Sequence, residues 1–201
     1  VFYVKSTTLY NEAGDSAEIS VVGAQKDADM TSCFTFRTRK DHEEIPFDDS
    51  SVILTEKTAL NLGVKGGGTL YVEGADGRRV PVTLTGITEN YMFTRLYLSN
   101  AQLKSYLDGE PAWNTVYGLT HCKNDAEYNA LRARLLECSY VSGVSFTEDT
   151  NSMFDNLIVS LNSVVVLIIV CAAALAAVVL YNLISVNLAE RKKELATIKV
   201  L

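Results

Sequence analysis

The sequence has few of the residues that usually perform covalent or metal chemistry. It contains two histidines and four cysteines in 201 residues, and no two cysteines stand at the C-x-x-C spacing of zinc sites. It also lacks the G-x-S-x-G turn of hydrolases and the H-E-x-x-H helix of zinc proteases. We therefore expect no enzymatic activity, no metal site and no bound cofactor.

Positive charge is scarce as well. The chain has 18 Lys and Arg against 24 Asp and Glu, a formal net charge of −6 at pH 7. Because nucleic-acid binding needs Lys and Arg to neutralise phosphates, this balance excludes nucleic acid as a partner.

One stretch has no charge at all. Residues 164–181 read VVVLIIVCAAALAAVVLY, and continuing to Ile184 gives about the 20 residues that a hydrocarbon core of about 30 Å requires. The buried helix of a soluble domain rarely stays apolar all round for this length. The stretch predicts a transmembrane helix over about 164–184. Small residues four apart predict a face of it that packs against another helix, namely Ala172, Ala173, Ala176 and Ala177.

The charges on the two flanks of the span differ. Acidic residues precede it (Glu148, Asp149, Asp155) and basic residues come after it (Arg191, Lys192, Lys193). Basic residues near a span favour the cytoplasmic side. The flanks predict an extracytoplasmic domain over 1–150, a stalk and transmembrane helix over 151–186, and a cytoplasmic helical tail over 187–201.

The helix is expected to extend beyond the membrane on both sides. Before the span, apolar residues recur at i, i+3, i+4 and i+7, the period of a helix face; they are Met153, Phe154, Leu157, Ile158, Leu161, Val164 and Val165. After the span come strong helix formers with no breaker. A helix from about 151 to 199 would be roughly 70 Å long, enough to connect the outside to the cytoplasm.

The soluble part mixes strand and helix patterns. Alternating and β-branched residues predict strands at 18–24, 33–38, 52–54, 69–73, 80–88, 95–98, 114–119 and 141–147. Helical spacing predicts helices at 56–62, 100–107 and 125–137, the last capped by Asn124 or Asp125 and with Tyr128, Leu131, Leu135 and Leu136 on its inner face. Without strict alternation of the two, the fold class is α+β: a mixed-sheet extracytoplasmic domain followed by one long transmembrane helix.

Several local features have simple interpretations. The run Gly66-Gly67-Gly68 precedes a strand, whereas a phosphate loop comes after one and opens a helix, so it indicates a turn. One histidine among carboxylates in Lys40–Glu44 indicates an exposed loop rather than a metal site. The four cysteines are Cys33, Cys122, Cys138 and Cys171. Isolated buried thiols are the default interpretation, and the sequence leaves open whether Cys122 and Cys138 pair.

Two stretches resemble one known family. The run from Asn182 through Glu190-Arg191-Lys192-Lys193-Glu194-Leu195-Ala196 to Leu201 resembles the segment after the second membrane helix of FtsX-like ABC transporter permeases. The runs Thr55–Lys65, Val82–Tyr91 and Tyr97-Leu98-Ser99 resemble the extracytoplasmic domain of Gram-positive members of this group, which also includes MacB- and LolC-like proteins. The matches fall in residues 51–120 and 150–201.

The resemblance implies a permease subunit that transmits ATP-driven movement to an extracytoplasmic domain. It implies a cytosolic ABC ATPase, membrane lipid and a second permease copy or half as partners. Glu190, Arg191 and Glu194 would match the region that meets the ATPase. The sequence has neither an initiator Met nor a signal peptide at its start, and we expect it to belong to a longer, multi-pass protein of the cell membrane.

A second hypothesis is an extracellular sensor domain of a signalling receptor, joined by one span to a cytoplasmic linker. The helical spacing of 189–201 would also suit such a linker. The chain beyond Leu201 discriminates the two, since further spans support a permease and a kinase core supports a receptor. The sequence names neither a cargo nor a regulated partner.

Overall fold

Residues 1–74 and 76–198 are described by the computed structural model of the chain. Their contacts divide the chain after Thr120 into unit 1, residues 1–120, and unit 2, which begins at His121. The α+β fold class predicted from the sequence is confirmed, as is the long apolar C-terminal helix.

Unit 1 is built on one mixed sheet. Its seven strands are β1 (Phe2–Tyr10), β2 (Ser16–Ala24), β3 (Val52–Thr55), β4 (Thr69–Glu73), β5 (Arg79–Thr83), β6 (Gly86–Thr88) and β7 (Arg95–Leu98). Three short helices complete it: α1 (Asp27–Cys33), α2 (Glu56–Asn61) and α3 (Asn100–Leu107). The strand order is β5-β4-β1-β2-β7-β3-β6, with parallel pairing only between β2 and β7 and between β3 and β6.

The sheet curls so that its two edges meet. The sequence predicted one strand over 80–88, but this segment forms both edge strands, β5 and β6. Between them the Leu84 amide donates to the Gly68 carbonyl at 2.9 Å, and the Thr85 amide donates to the Val52 carbonyl at 2.9 Å. The two edge strands are therefore neighbours along the chain, although no ladder pairs β5 with β6 among the described residues.

Both faces of the central strands are buried, which explains their nearly continuous apolar sequences. On one face, Val21, Leu54 and Leu96 pack with side chains of α2 and α3. On the other face, Val22, Ile53, Tyr97 and others pack with Met30 of α1 and with an aromatic group, Phe2, Phe34, Phe36, Phe47 and Tyr117. Successive residues of each strand therefore serve opposite cores, as the two-residue strand period requires.

Three predicted strands are wrong. Residues 33–38 begin at the end of α1, and beyond it Arg37 makes only an isolated bridge to Glu44. Residues 141–146 lie between two helices of unit 2 and Thr147 begins the second of them, and the described residues of this unit include no strand to pair with. In 114–119 only Thr115 forms a bridge, to Phe2. The backbone groups of Val4, which a longer strand would pair with, are bound instead by the Asn114 side chain, which accepts from the Val4 amide at 2.9 Å and donates to the Val4 carbonyl at 2.8 Å.

Other predictions for unit 1 are confirmed. The helix predicted at 100–107 has these bounds, and the glycine run forms a turn in which Gly67 has a φ of 85°. Strand β1 was missed because its polar middle, Lys5 to Thr8, breaks the alternation and only its ends are well buried.

Unit 2 contains two helices, α4 (Asp125–Leu136) and α5 (Thr147–Ile198). Asn124 caps α4 as predicted, because its side-chain oxygen accepts from the Glu127 amide at 3.0 Å. The predicted inner face of α4 is only partly confirmed: Tyr128 and Leu131 are half-buried, whereas Leu135 and Leu136 are exposed.

Candidate functional site: the long helix and its first turn

Helix α5 is the element most able to carry a function. It runs for 52 residues, from Thr147 to Ile198, about 78 Å at 1.5 Å per residue. It is long and apolar enough to cross a membrane, and none of its most apolar window is buried within the chain. Its sequence contains no proline or glycine, the residues that most often kink a helix. A bilayer core of about 30 Å would leave more than half of its length outside the lipid.

The predicted packing face lies open along α5. Ala172, Ala173, Ala176 and Ala177 are all exposed in the chain. At 100° per residue, Ala173 and Ala177 lie on nearly one line of the helix, where small side chains let a second backbone approach closely. The face is thus available, and its role in packing stays a prediction.

The cytoplasmic end of α5 is described in part. Arg191 is exposed, and the backbone is helical through Ile198. The side chains of Glu190 and Glu194 lie outside the described residues, as does Lys199. The role of Glu190, Arg191 and Glu194 in binding an ATPase therefore stays a prediction.

The first turn of α5 has a well-defined capping arrangement. Asp149 accepts a hydrogen bond from the Phe146 amide at 2.9 Å, while the Asp149 amide donates to the Phe146 carbonyl at 3.1 Å. The carboxylate thus satisfies an amide that the helix itself leaves without a partner, and it lies where the helix dipole favours negative charge.

The Asp149 carboxylate is also bound by an arginine of α4, Arg132. Arg132 donates from Nη2 to both oxygens of Asp149 at 2.6 Å, and from Nη1 to the Asn129 side chain at 2.9 Å. Its guanidinium carbon lies 5.2 Å from the centre of the Phe146 ring, and that ring lies 5.0 Å from the ring of Tyr128. The sequence analysis missed this arrangement: acidic residues in a first turn are a recognisable signal, but nothing local connects them to an arginine 17 residues earlier.

A cleft of about 220 Å³ lies beside this contact. Its lining is polar or aromatic and comes from both helices: Asp125, Tyr128, Asn129, Glu148, Asp149 and Ser152. Because Asp149 lines the cleft, solvent and dissolved salt reach its ion pair with Arg132.

The position of α4 answers whether Cys122 and Cys138 form a disulfide, which the sequence left open. This helix of 12 residues lies between Cys122 and Cys138 and separates them by about 18 Å along its axis. A disulfide needs Cα atoms about 4.4–6.8 Å apart, so these two cannot bond to each other here. The expectation of buried thiols is wrong for Cys33, Cys138 and Cys171, which are exposed.

The loop Lys40–Glu44 of unit 1 is exposed, as predicted, and its histidine, His42, lies near the carboxylate of Glu89. His42 Nδ1 lies 4.0 Å from Glu89 Oε1, but Glu89 already accepts from the Arg37 guanidinium and from the Tyr91 hydroxyl. The Arg37 hydrogen bond holds the pKa of Glu89 below its usual value. Across the part of the chain that the structure describes, no group of three or more His, Cys, Asp or Glu could hold a metal ion.

No protein-family model and no curated protein matches the chain. Among solved structures, it is similar to the extracellular domain of the noncanonic ABC-type transporter YknZ from Gram-positive bacteria, with a TM-score of 0.44, 19% identity and coverage of 67% of this chain and 71% of that one. It is also similar to the periplasmic region of MacB from Actinobacillus actinomycetemcomitans, with a TM-score of 0.42, 12% identity and coverage of 77% and 75%. A third is a domain of a putative permease protein from Porphyromonas gingivalis, with a TM-score of 0.37, 13% identity and coverage of 68% and 67%. These structures come from the class of protein that the sequence motifs resemble.

Proposed function

We propose that this chain is part of the permease subunit of an ABC transporter and transmits movement driven by a cytosolic ATPase to an extracytoplasmic domain. The role is mechanical and not enzymatic. The proposal is supported by the resemblance of the Asn182–Leu201 run and of the Thr55–Lys65, Val82–Tyr91 and Tyr97–Ser99 runs to FtsX-like permeases.

The observation that carries the proposal is the continuity of α5. A helix of 52 residues without proline or glycine behaves as a stiff rod over several turns. A rod that crosses a bilayer and extends beyond it on both sides can convert a displacement at one end into a displacement at the other. A receptor with one span could use the same rod, so co-purification of an ATPase is the measurement that separates the two functions.

In this proposal residues 1–150 are extracytoplasmic and Arg191–Leu201 are cytoplasmic in a multi-pass protein of the cell membrane. Native cysteines allow a direct test. Cys33 is exposed in unit 1, so an impermeant maleimide added to intact cells should label it. A cysteine in place of Ala189, at the other end of the span, should be labelled only after permeabilisation. Because Cys33 and Cys138 are also exposed, each labelled residue is identified by mass spectrometry of its own peptide. The reverse pattern would overturn the orientation.

Docking of the ATPase at Glu190, Arg191 and Glu194 is tested by charge reversal. Glu190 and Glu194 are one turn apart at i and i+4 and share a helix face. Exposed ion pairs contribute only about 0.2–1 kcal/mol to stability, so Glu190→Lys with Glu194→Lys should leave folding intact. Across an interface, the same change replaces attraction by repulsion, and co-purification of the ATPase should fall.

A matched control is available in unit 1. Glu12 and Asp41 are exposed acidic residues, so Glu12→Lys with Asp41→Lys changes the net charge equally without touching α5. Normal co-purification and ATPase stimulation in the tail variant, or an equal loss in both variants, would contradict docking at the tail.

The second permease copy or half is proposed to pack on the alanine face. Ala173→Leu with Ala177→Leu should weaken recovery of the complex but not insertion, because leucine inserts well and yet holds backbones apart. Cys171 lies on roughly the opposite side of the helix, so Cys171→Leu is the matched change and should have no effect. Unchanged recovery with the alanine variant would mean that this face contacts lipid.

A further inference from the structure

We infer that Arg132 is a positioning residue that fastens α4 to the first turn of α5, so that the two helices move as one body. This inference rests on the proposed function only in supposing that α5 moves. The attachment itself belongs to unit 2 and is independent of any ATPase.

Unit 2 has little else to hold its helices together. None of the unit 2 residues whose side chains the structure describes is buried, and α4 has no buried residue. A helix pair normally owes its relative position to a shared apolar core. Here the most buried of the described side chains are only half-buried, namely those of Cys122, Tyr128, Leu131, Arg132, Val141, Val144, Phe146 and Thr150. The polar and aromatic contacts of Arg132 therefore account for a large part of the attachment.

Arg132 reaches the part of α5 that is most prone to open. Terminal turns of helices fray because their amides lack partners and their contacts are few. Arg132 binds the capping carboxylate Asp149 at 2.6 Å and lies over the ring of Phe146. It therefore holds the residue that caps the turn and the residue that precedes the turn.

The ion pair is not buried enough to be strong by charge alone. The side chains of Arg132 and Asp149 are 27% and 45% exposed, so water and salt screen their attraction. The contact with the Phe146 ring and the Asn129 hydrogen bond hold the guanidinium in the orientation that binds the carboxylate, which lowers the entropic cost of the pair. A moderate, salt-sensitive contact results.

The contact determines whether α4 moves when α5 is displaced. With Arg132 in place, a translation or rotation of α5 also moves α4. Without it, the first turn opens and absorbs the displacement.

The attachment is tested by hydrogen exchange on the 201-residue chain in lipid nanodiscs. Arg132→Met removes the charge while keeping a long side chain, and it leaves Asp149 free to cap α5. Exchange of the amides of residues 146–152 should accelerate by about threefold to tenfold, the range expected when a charge-assisted contact of a terminal turn is lost. Arg134→Met, on an exposed residue of the same helix, should leave exchange there unchanged.

Two further measurements distinguish positioning from general destabilisation of unit 2. Arg132→Lys keeps the charge but loses the planar group that stacks on the ring, so it should restore part of the protection. Raising salt to about 1 M should accelerate exchange more in the native chain than in Arg132→Met, because only the native chain has the ion pair to be screened. Unchanged exchange in Arg132→Met, or equal acceleration in Arg134→Met, would overturn the attachment.

Coupling is tested in the full-length protein assembled with its ATPase. Cys138 lies just beyond the end of α4 and is exposed, so its maleimide labelling rate reports on α4. A cysteine in place of Val159 reports on α5, and mass spectrometry of each labelled peptide separates these rates from those of the other cysteines. With ATP, both rates should change in the native protein, and in Arg132→Met only the α5 rate should change. An ATP response of Cys138 that survives in Arg132→Met would overturn the coupling. If ATP does not change the labelling of Val159→Cys in a protein that keeps Arg132, that result counts against the proposed function. The hydrogen-exchange measurement then decides whether Arg132 attaches α4 to α5.

Discussion

The two units of this chain differ in whether their apolar residues are buried. In unit 1, apolar side chains alternate along strands and are buried in two cores on the faces of one sheet. In unit 2, the apolar side chains of α5 surround the helix and are exposed along the whole span. Hydrophobic content alone does not separate the two cases. The length of the uninterrupted apolar run does, because the short apolar strands of unit 1 are covered by its two cores, whereas a long helix that is apolar all round needs a solvent such as lipid to cover it.

The largest expected effect contrasts a core leucine with an exposed one. Leu96 is fully buried in β7, so Leu96→Ala should lower the unfolding free energy of unit 1 by about 2–5 kcal/mol through lost burial and a cavity. Leu167→Ala removes the same atoms from an exposed site on α5 and should leave unit 1 unchanged. Urea unfolding in nanodiscs, monitored by the fluorescence of Trp113, the single tryptophan, measures both. Equal losses would mean that α5 is part of the core of unit 1.

A charge in α5 should have the next largest effect. Val170→Arg places a guanidinium in the proposed span, where insertion is penalised by about 2.5–3.5 kcal/mol. Leu60→Arg puts the same side chain on an exposed position of α2 and should change neither folding nor membrane association. The fraction of chain that resists alkaline extraction from membranes measures insertion. Full extraction resistance in Val170→Arg would count against a span centred there.

Glycines provide a smaller contrast. A Cβ on Gly23 would lie 2.7 Å from Cδ2 of Leu103, which is itself fully buried and cannot move aside freely. Gly23→Ala should therefore cost about 1–3 kcal/mol of unit 1 stability by overpacking β2 against α3. Gly143→Ala meets nothing within 4 Å and should be neutral in the same urea measurement. If Gly23→Ala is also neutral, the contact between β2 and α3 is looser than described.

The smallest expected effect depends on pH. The pKa of Glu89 is lowered in the folded chain, chiefly by the Arg37 hydrogen bond, so the ionised carboxylate stabilises unit 1. This contribution is fully present above the ordinary Glu value of about 4.3 and is lost as the pH falls through the lower folded value.

The variant Glu89→Gln isolates that contribution. Gln keeps a neutral acceptor for Arg37 but cannot titrate, so the variant should be less stable than the native chain at pH 7. The difference should shrink as the pH falls towards about 3, below the ordinary Glu pKa. Thermal unfolding of unit 1 over this pH range measures it, and a constant difference would show that the carboxylate does not contribute through its charge.

Elements of the fold were predictable when the interactions that form them join residues close in sequence. Helices at 56–62, 100–107 and 125–137 and the long C-terminal helix were predictable because their apolar spacing, and for 125–137 also the Asn124 cap, lies within a few turns of sequence. The failed strand at 114–119 shows the opposite case. Its residues suit a strand, but Val4 is satisfied there by the side chain of Asn114, a contact between residues 110 positions apart.

The sequence by itself determined that the chain has a helix long and apolar enough to cross a membrane. This conclusion needs no tertiary contact, because it follows from the length of a stretch without charge or amide. Only the tertiary structure decided how residues 79–88 close the sheet and how Arg132 holds the first turn of α5. Both depend on pairs of groups distant in sequence, whose meeting is set by the path of the chain in space and not by any local pattern.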